Sequence, residues 1–168
     1  MSKILVIAEH SDGKLNVSAV AKTLAAAQKI GGDVTVAVLA AGGAGAAAEA
    51  AKLAGVSKVV VVNNAANAYP VAAVLAPQIV ELVQGGYTHV LFPGTTFGKD
   101  LAPRVAAKLN VQQVSDIMAV HGANKFDRPI YAGNAITTVE APAGTVVATV
   151  RLASFTAVGE GGSAAVEA

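Results

Sequence analysis

Asp-Val-Thr-Val-Ala-Val-Leu-Ala, residues 33–40, is an eight-residue run in which only Asp33 and Thr35 are polar. The run is rich in branched residues and lacks the alternation of a strand with one wet face, so it predicts a strand buried on both faces. Two similar runs are KILVIA at residues 3–8 and KVVVV at residues 58–62. Strands of this kind are typical of parallel sheets covered by helices, so these runs decide the fold class.

Helical segments separate the strands and predict a doubly wound sheet. In residues 17–30 apolar side chains recur at helical spacing, and Gly31-Gly32 ends the segment. The predicted helices cover residues 17–30, 44–54, 69–84 and 100–109, and a fourth strand covers residues 88–92. The alternation predicts a three-layer α/β/α fold with a mostly parallel sheet in the strand order 3-2-1-4-5.

Prolines and a capping residue set the expected details of the last two helices. Pro70 falls in the first turn of the third helix, where a missing N–H costs nothing, and Pro77 predicts a kink or break in its middle. Asp100 is the predicted N-cap of the fourth helix, which puts Pro103 among the first N–H groups without a helical partner.

The pattern changes in the last third of the chain, where strands follow one another without helices. Strand-like segments cover residues 114–120, 128–132, 135–139 and 145–152, with turn residues such as Gly133-Asn134 between them. This arrangement predicts antiparallel strands that extend or flank the parallel sheet. We therefore expect one α/β domain over residues 1–156. The Gly-rich residues 157–168 are expected to form a flexible linker toward a further domain.

Composition excludes several classes of function. The chain has 168 residues, a net charge of +1 and no cysteine, which argues against nucleic-acid binding, disulfides and thiolate metal sites. No signal or transit peptide is apparent at the amino terminus, and no apolar run is long enough for membrane insertion, so the cytoplasm is the expected compartment. The three histidines are too scattered for a metal site, and His89 is predicted to be a buried core histidine.

The loops after the first and fourth strands hold the candidate binding residues. In a doubly wound sheet these loops flank the crevice where ligands bind, so His10, Asp12 and Lys14 could converge with Thr95, Thr96 and Lys99. The second loop, residues 94–100, is one residue short of a Walker A motif and has Asp in place of the magnesium ligand, which excludes an NTPase. Two readings stay open: an adenine-nucleotide-binding module that uses this crevice, or ordinary solvated loop residues.

No arrangement of residues predicts an enzyme. A Gly43-x-Gly45-x-x-Ala48 match to a dinucleotide loop lacks the acidic residue expected about twenty positions later. There is no nucleophile elbow and no acid/base pair of carboxylates, and Arg128 and Arg151 are expected to form structural ion pairs or edge-strand charges.

Four blocks of sequence resemble the electron transfer flavoprotein alpha subunit family. They are FGKDLAPRVAAKL at residues 97–109, VSDI at 114–117, RPIYAGNA at 128–135, and Val150-Arg151 with Ser154-Phe155. The opening Ile7-Ala-Glu-His10 with Gly13-Lys-Leu15 is similar to the first strand and loop of that family. The resemblance extends over residues 3–155.

The resemblance implies that the chain is the amino-terminal scaffold and heterodimerisation domain of an electron carrier, without catalytic residues of its own. Alpha subunits of this family pair with a beta subunit, and the beta subunit holds AMP. The assembled protein carries electrons on FAD from flavoprotein dehydrogenases, such as acyl-CoA dehydrogenases, to a quinone oxidoreductase. The FAD is expected on a carboxy-terminal domain absent from this chain, so no FAD ligand is assigned here. We expect the partner contact at residues 128–139, where Arg128, Tyr131 and Asn134 are residue types that serve interfaces well.

Overall fold

The computed structural model describes all residues from Met1 to Ala168 and contains twelve strands, four α-helices and three short 3₁₀ helices. The helices are α1 (Val17–Ile30), α2 (Ala44–Ala50), α3 (Ala72–Val83) and α4 (Thr96–Lys108). The strands are β1 (Lys3–Ile7), β2 (His10–Ser11), β3 (Lys14–Leu15), β4 (Asp33–Ala40), β5 (Lys58–Asn63), β6 (His89–Pro93), β7 (Gln113–Ile117), β8 (Ala119–Val120), β9 (Lys125–Ile130), β10 (Ala135–Glu140), β11 (Val146–Val150) and β12 (Ala165–Glu167). None of the helices combines the length and the apolar character that crossing a membrane requires.

A seven-stranded parallel sheet in the order β12-β5-β4-β1-β6-β11-β7 forms the middle layer. Buried residues of α1 and α2 pack on one face of this sheet, and buried residues of α3 and α4 pack on the other. Both faces of the central strands are therefore dry, as their unbroken apolar runs require. The predicted three-layer α/β/α class is confirmed.

The order of the sheet departs from the prediction beyond its fourth strand. The neighbours β5-β4-β1-β6 follow the predicted order 3-2-1-4, but the next position belongs to β11 and not to β7, which lies outside it. The expectation that residues 145–152 and the first part of 114–120 would be antiparallel is wrong, because β11 and β7 both run parallel to the sheet. All five residues of β11 are buried, which is the signature of a two-sided strand in a parallel sheet.

A small antiparallel sheet, β8-β9-β10, covers residues 119–140 and is called the arm below. It contains the antiparallel strands predicted for the last third of the chain. Phe126 is fully buried and joins the same core cluster as α1, β11 and β7. The arm therefore covers the β11–β7 end of the sheet on the same face as α1 and α2. In many folds of this class a further helix covers that position.

The fourth helix begins four residues earlier than predicted. Its N-cap is Thr95, whose side-chain oxygen accepts a hydrogen bond from the backbone N–H of Gly98, and Asp100 already lies inside the helix. Pro103 is then an interior residue. The helix continues past it because Leu101, Ala102 and Val105 are buried against the sheet, and such packing supplies most helical stability in proteins.

The third helix is likewise unbroken. It begins at Ala72, so Pro70 lies before it, and Pro77 is accommodated inside the helical segment. Of the predicted kink or break at Pro77, the break is wrong, because one helix runs through the proline. Leu75, Ala76 and Ile79 on either side of the proline are buried, and their packing holds the helix together.

The carboxy-terminal residues, which composition predicts to be a flexible linker, make backbone contacts with the domain. Three residues of β12 pair with β5 at the edge of the sheet, and the N–H groups of Gly161 and Gly162 donate to the carbonyl of Lys52. The Lys58 Nζ atom lies 2.8 Å from Glu167 Oε2. The hydrogen bond to Glu167 is the main cause that raises the pKa of Lys58. Whether residues 157–168 lead to a further domain stays a prediction.

Replacing Glu167 with Gln should loosen β12 without destabilising the domain. Because the Lys58–Glu167 pair is exposed, its loss should cost about 0.5 kcal/mol or less of global stability. Amide hydrogen exchange of residues 165–167 should nevertheless become faster. Glu160→Gln is the matched control, since Glu160 forms no ion pair. Equal exchange rates in both variants would show that the ion pair does not hold the strand.

Candidate functional site

A cavity of about 310 Å³ opens at the carboxyl ends of β1, β4 and β5. Its floor is formed by Leu39, Ala40 and Leu75, which are all buried. The other lining residues come from the loop after β1, from the ends of the neighbouring strands and from α4; they are His10, Ser11, Asp12, Gly13, Ala41, Gly42, Asn67, Ala68, Tyr69, Pro70 and Phe97. This edge of a parallel α/β sheet is where ligands of such folds bind.

The loop after β1 is held in one shape by a tight turn and two anchors. Asp12 and Gly13 have φ angles of 50° and 75°, which close the short hairpin of β2 and β3. The His10 Nε2 atom lies 2.8 Å from the Leu39 carbonyl oxygen, and because that oxygen only accepts, Nε2 carries the proton. The backbone N–H of Leu15 donates to Glu49 Oε2 over 2.8 Å. The side chains at the mouth of the cavity therefore project from a supported turn.

Only His10 and Asp12 of the predicted crevice residues line this cavity. Thr95 is occupied as the N-cap of α4, and Thr96 and Lys99 are exposed residues of that helix outside the cavity lining. Lys14 lines a separate, shallower depression. The predicted convergence assumed that residues 94–99 form a loop, and the early start of α4 winds most of them into its first turn instead.

Sequence reasoning missed the second wall of the cavity. Residues 67–70, after β5, and Phe97 supply it, and Tyr69 is 76% exposed at its rim. The sequence predicts that the Tyr69-Pro70 pair starts a helix, whereas α3 begins only at Ala72. An aromatic residue directly before a proline, at the end of a buried strand, is the signal that could have located this wall.

The charges around the cavity disfavour a phosphate group. No Lys or Arg is among the lining residues, and the one charged side chain among them is the carboxylate of Asp12. Phosphate sites need cationic side chains or a cradle of free N–H groups, and this lining supplies no cationic side chain of Lys or Arg.

A second exposed feature lies at the tip of the arm, residues 130–136, where three large apolar side chains are in water. Ile130, Tyr131 and Ile136 are 41%, 82% and 61% exposed. Tyr131, Ala132 and Gly133 all have positive φ angles, of 52°, 51° and 85°. Left-handed backbone at two consecutive residues with side chains is costly, and strain of this kind concentrates at functional positions.

The residues predicted as partner contacts have different environments. Tyr131 is the most exposed of them, whereas Arg128 is half-buried and donates from Nε to the Ser115 carbonyl oxygen over 2.8 Å. Asn134 is exposed and donates from Nδ2 to the Tyr131 carbonyl oxygen over 3.1 Å. Arg128 and Asn134 therefore support the arm and its turn, and the apolar neighbours Ile130 and Ile136 were not predicted.

The remaining charged groups near the arm are structural pairs. Arg151 Nη1 lies 3.0 Å from Asp116 Oδ2, the ion pair expected of Arg151. His121 Nε2 lies 2.8 Å from Asp127 Oδ2. The hydrogen bond from Thr138 is the main cause that lowers the pKa of Asp127, and the bond from His121 adds to it. The first pair joins β7 to the residue that follows β11, and the second holds the turn between β8 and β9 to β9 itself.

His89 is a buried core histidine, as predicted, and ties β6 to the turn between β8 and β9. One ring nitrogen, Nδ1, lies 2.7 Å from Thr88 Oγ1, and the other, Nε2, donates to the carbonyl of Ala123. Burial lowers the pKa of His89, and the hydrogen bond to Ala123 opposes this shift without cancelling it.

Stability should therefore fall in mild acid because of His89. Above the ordinary histidine pKa of about 6.5 the ring is neutral in both states, and its contribution is fully present. Below that value His89 is protonated in the unfolded chain but stays neutral in the folded chain. The free energy of unfolding therefore falls with falling pH until the pH passes the lowered pKa of the folded state. Thermal unfolding of His89→Gln between pH 8 and pH 5 should show a smaller fall than the unchanged protein. His121→Gln, at an exposed histidine, is the comparison, and an equal fall in all three proteins would contradict the assignment.

Known proteins are similar to this chain over nearly its whole length. Residues 4–168 match the family model described as electron transfer flavoprotein domain. The chain is 53% identical over 165 residues to the electron transfer flavoprotein subunit alpha of Pseudomonas aeruginosa, covering 98% of this chain and 53% of the relative. The corresponding subunit of Paracoccus denitrificans is 47% identical over 163 residues, covering 97% of this chain and 52% of the relative. The mitochondrial subunit of Dictyostelium discoideum is 41% identical over 174 residues, covering 98% of this chain and 48% of the relative.

The chain thus spans about half the length of the curated relatives it matches. The family match extends from the first strand to the last residue and includes the arm. On this evidence the chain belongs to the electron transfer flavoprotein family.

Proposed function

We propose that this domain is the amino-terminal scaffold of an electron transfer flavoprotein alpha subunit and that it docks a beta subunit through the tip of its arm. The exposure of three large apolar side chains at one end of the arm, those of Ile130, Tyr131 and Ile136, is the observation that carries the proposal. The register of β9 and β10 places Ile130 and Ile136 on opposite faces of that end, with Tyr131 in the turn between the strands. Exposed apolar side chains are frequent at interaction sites, and tyrosine is a frequent energetic anchor in interfaces. In this proposal Asn134 holds the turn that presents Tyr131, and Arg128 ties the arm to β7.

The redox function belongs, in the same proposal, to the part of the subunit outside this chain. That part holds FAD, and the assembled protein carries electrons from flavoprotein dehydrogenases to a quinone oxidoreductase, while AMP is held by the beta subunit. We expect the purified domain to be colourless. Joining it to the carboxy-terminal half of the subunit should bring the yellow flavin absorbance. Flavin bound stoichiometrically to the domain by itself would contradict this division.

The docking is tested by titrating the separately produced beta subunit into the domain in a calorimeter. The pair Tyr131→Ala and Ile136→Ala, introduced together, should weaken binding about 100-fold or more, because truncated anchors at an interface centre dominate its energy. Tyr69→Ala with Val71→Ala is the matched control, an exposed tyrosine and an exposed aliphatic residue at the cavity end of the domain. Unchanged binding by the arm variant would place the contact elsewhere, and no binding by the unchanged domain would remove the scaffold proposal.

A further inference from the structure

A second cavity, of about 320 Å³, lies between the edge strand β7 and the arm. The buried residues Val114 and Ala141 give it an apolar part, and its polar part includes Gln113, Ser115 and Arg128. It shares no lining residue with the cavity at the carboxyl ends of β1, β4 and β5. We call it the β7–arm groove.

The guanidinium of Arg128 is only partly used inside the domain. Its Nε atom donates to the Ser115 carbonyl oxygen over 2.8 Å, whereas neither Nη atom has a hydrogen-bond or ion-pair partner in the chain. Glu140 also lines the groove, but it lies on the opposite face of the arm by register, and its Oε1 atom accepts from Asn124 Nδ2 over 3.3 Å. Paired N–H groups of arginine match the two oxygens of a carboxylate, so Arg128 offers a free binding fork for one.

Gln113 has the opposite requirement. Its Nε2 atom donates to Ser115 Oγ over 2.9 Å, but its Oε1 atom is buried and has no hydrogen-bond donor. A buried acceptor without a donor costs free energy, and a donor from another molecule removes that cost. An acidic residue in an extended segment supplies both missing groups, since it carries a carboxylate on its side chain and an N–H on its backbone.

The groove is continuous with the apolar end of the arm. Side chains alternate along β9, so Arg128 and Ile130 share the face that carries the buried ring of Phe126. Two residues along a strand span only about 7 Å. A partner that packs on the exposed side chain of Ile130 is therefore within reach of the Arg128 fork.

From these contacts we infer that the β7–arm groove receives an aspartate or glutamate side chain of the beta subunit. The carboxylate pairs with the Nη atoms of Arg128, and a backbone N–H of the same segment donates to Gln113 Oε1. This inference rests on the docking proposed for the arm and adds the chemistry of the partner. The apolar side chains at the tip supply contact area, and Arg128 selects an acidic partner.

Calorimetric titration of the beta subunit into Arg128 variants, at low and high salt, tests the inference. Arg128→Gln should weaken binding about 30-fold, because the partner's carboxylate would lose its charged partner in the interface. Arg128→Lys keeps the charge without the fork and should weaken binding only about five-fold. Raising the ionic strength from about 50 to about 500 mM should weaken binding of the unchanged domain more than that of Arg128→Gln. A change in the shape of the arm alone would not remove this salt dependence.

Gln113→Met tests the second contact. It should weaken binding about five-fold, because the N–H of the partner would lose its acceptor. The thermal midpoint of the free domain should stay within about 2 °C, since the lost hydrogen bond to Ser115 is offset by removal of the unpaired oxygen.

Lys125→Gln is the matched control, because Lys125 is an exposed cation of the same strand on the opposite face and outside the groove. It should change binding less than about two-fold. Equal affinity and equal salt dependence for Arg128→Gln and the unchanged domain would overturn the inference and leave the docking through Tyr131 and Ile136 intact. Should Arg128→Gln fail to fold, unchanged binding by Gln113→Met would overturn it instead. No binding by the unchanged domain would overturn the docking proposal itself.

Discussion

Replacing Gly98 with Ala lowers the free energy of unfolding by about 3 kcal/mol or more. In an ordinary helix the same change would be stabilising by about 0.5–1 kcal/mol. The sign reverses here because α4 crosses the end of β6 so closely that a Cβ atom on Gly98 would overlap the carbonyl oxygen of Pro93 and lie 2.9 Å from its carbonyl carbon. Both contacts are backbone, so neither can rotate away. Chemical denaturation followed by circular dichroism measures the loss.

Gly122→Ala is the control for this experiment. An added Cβ at Gly122 meets nothing within 4 Å, and the backbone there is not left-handed, so stability should change by less than about 0.5 kcal/mol. A Gly98→Ala protein as stable as the unchanged chain would mean that α4 and β6 are farther apart than described.

Truncating Phe126 to Ala costs about 3–5 kcal/mol. The phenyl ring is fully buried and is the only side chain of β9 that is buried. Its loss leaves a cavity between the arm and the core cluster of α1 and β11. Since this ring joins the arm to the body, the arm should also lose protection from amide exchange earlier than the parallel sheet does. Denaturation and exchange on the same variant give both results.

Phe126→Leu keeps most of the volume and should cost less than about 1.5 kcal/mol. Tyr131→Ala removes an aromatic residue of the same arm that is exposed, and its effect should be below about 0.5 kcal/mol. If all three variants had the same stability, the arm would not depend on its buried ring.

The parallel core could be predicted from sequence because its signal is local. Residues 33–40 contain enough consecutive branched residues to specify a strand buried on both faces, and the predicted bounds of β4 agree with the observed ones. β11 carries the same signal in Val-Val-Ala-Thr-Val, but the segments just before it in sequence have an antiparallel pattern, and this pattern predicts the wrong strand direction for β11. Its place between β6 and β7 depends on contacts far apart in the chain, which no window of residues contains.

The candidate sites were predicted less well, because side-chain convergence depends on where elements begin. Thr95 and Asp100 are both good N-cap residues, and the choice between them is made by Gly98, which allows the first turn to approach β6. With that turn formed, Thr96 and Lys99 lie on α4, outside the lining of the cavity. The sequence does not predict the exposure of Ile130 and Ile136 either, since the same residues at another strand register would face the core.

The insertion of β11 between β6 and β7 has a consequence for the order of assembly. Strands β5, β4, β1 and β6 all precede residue 94 and can associate as soon as they are synthesised, whereas β7 has no neighbour in the sheet other than β11. The residues from β7 through the arm are therefore made before the strand that seats them. β7 and the arm can therefore join the sheet only when Val146–Val150 does. Until then the preceding thirty or so residues form a long loop, and the entropy cost of closing that loop is met only when β11 pairs with β6.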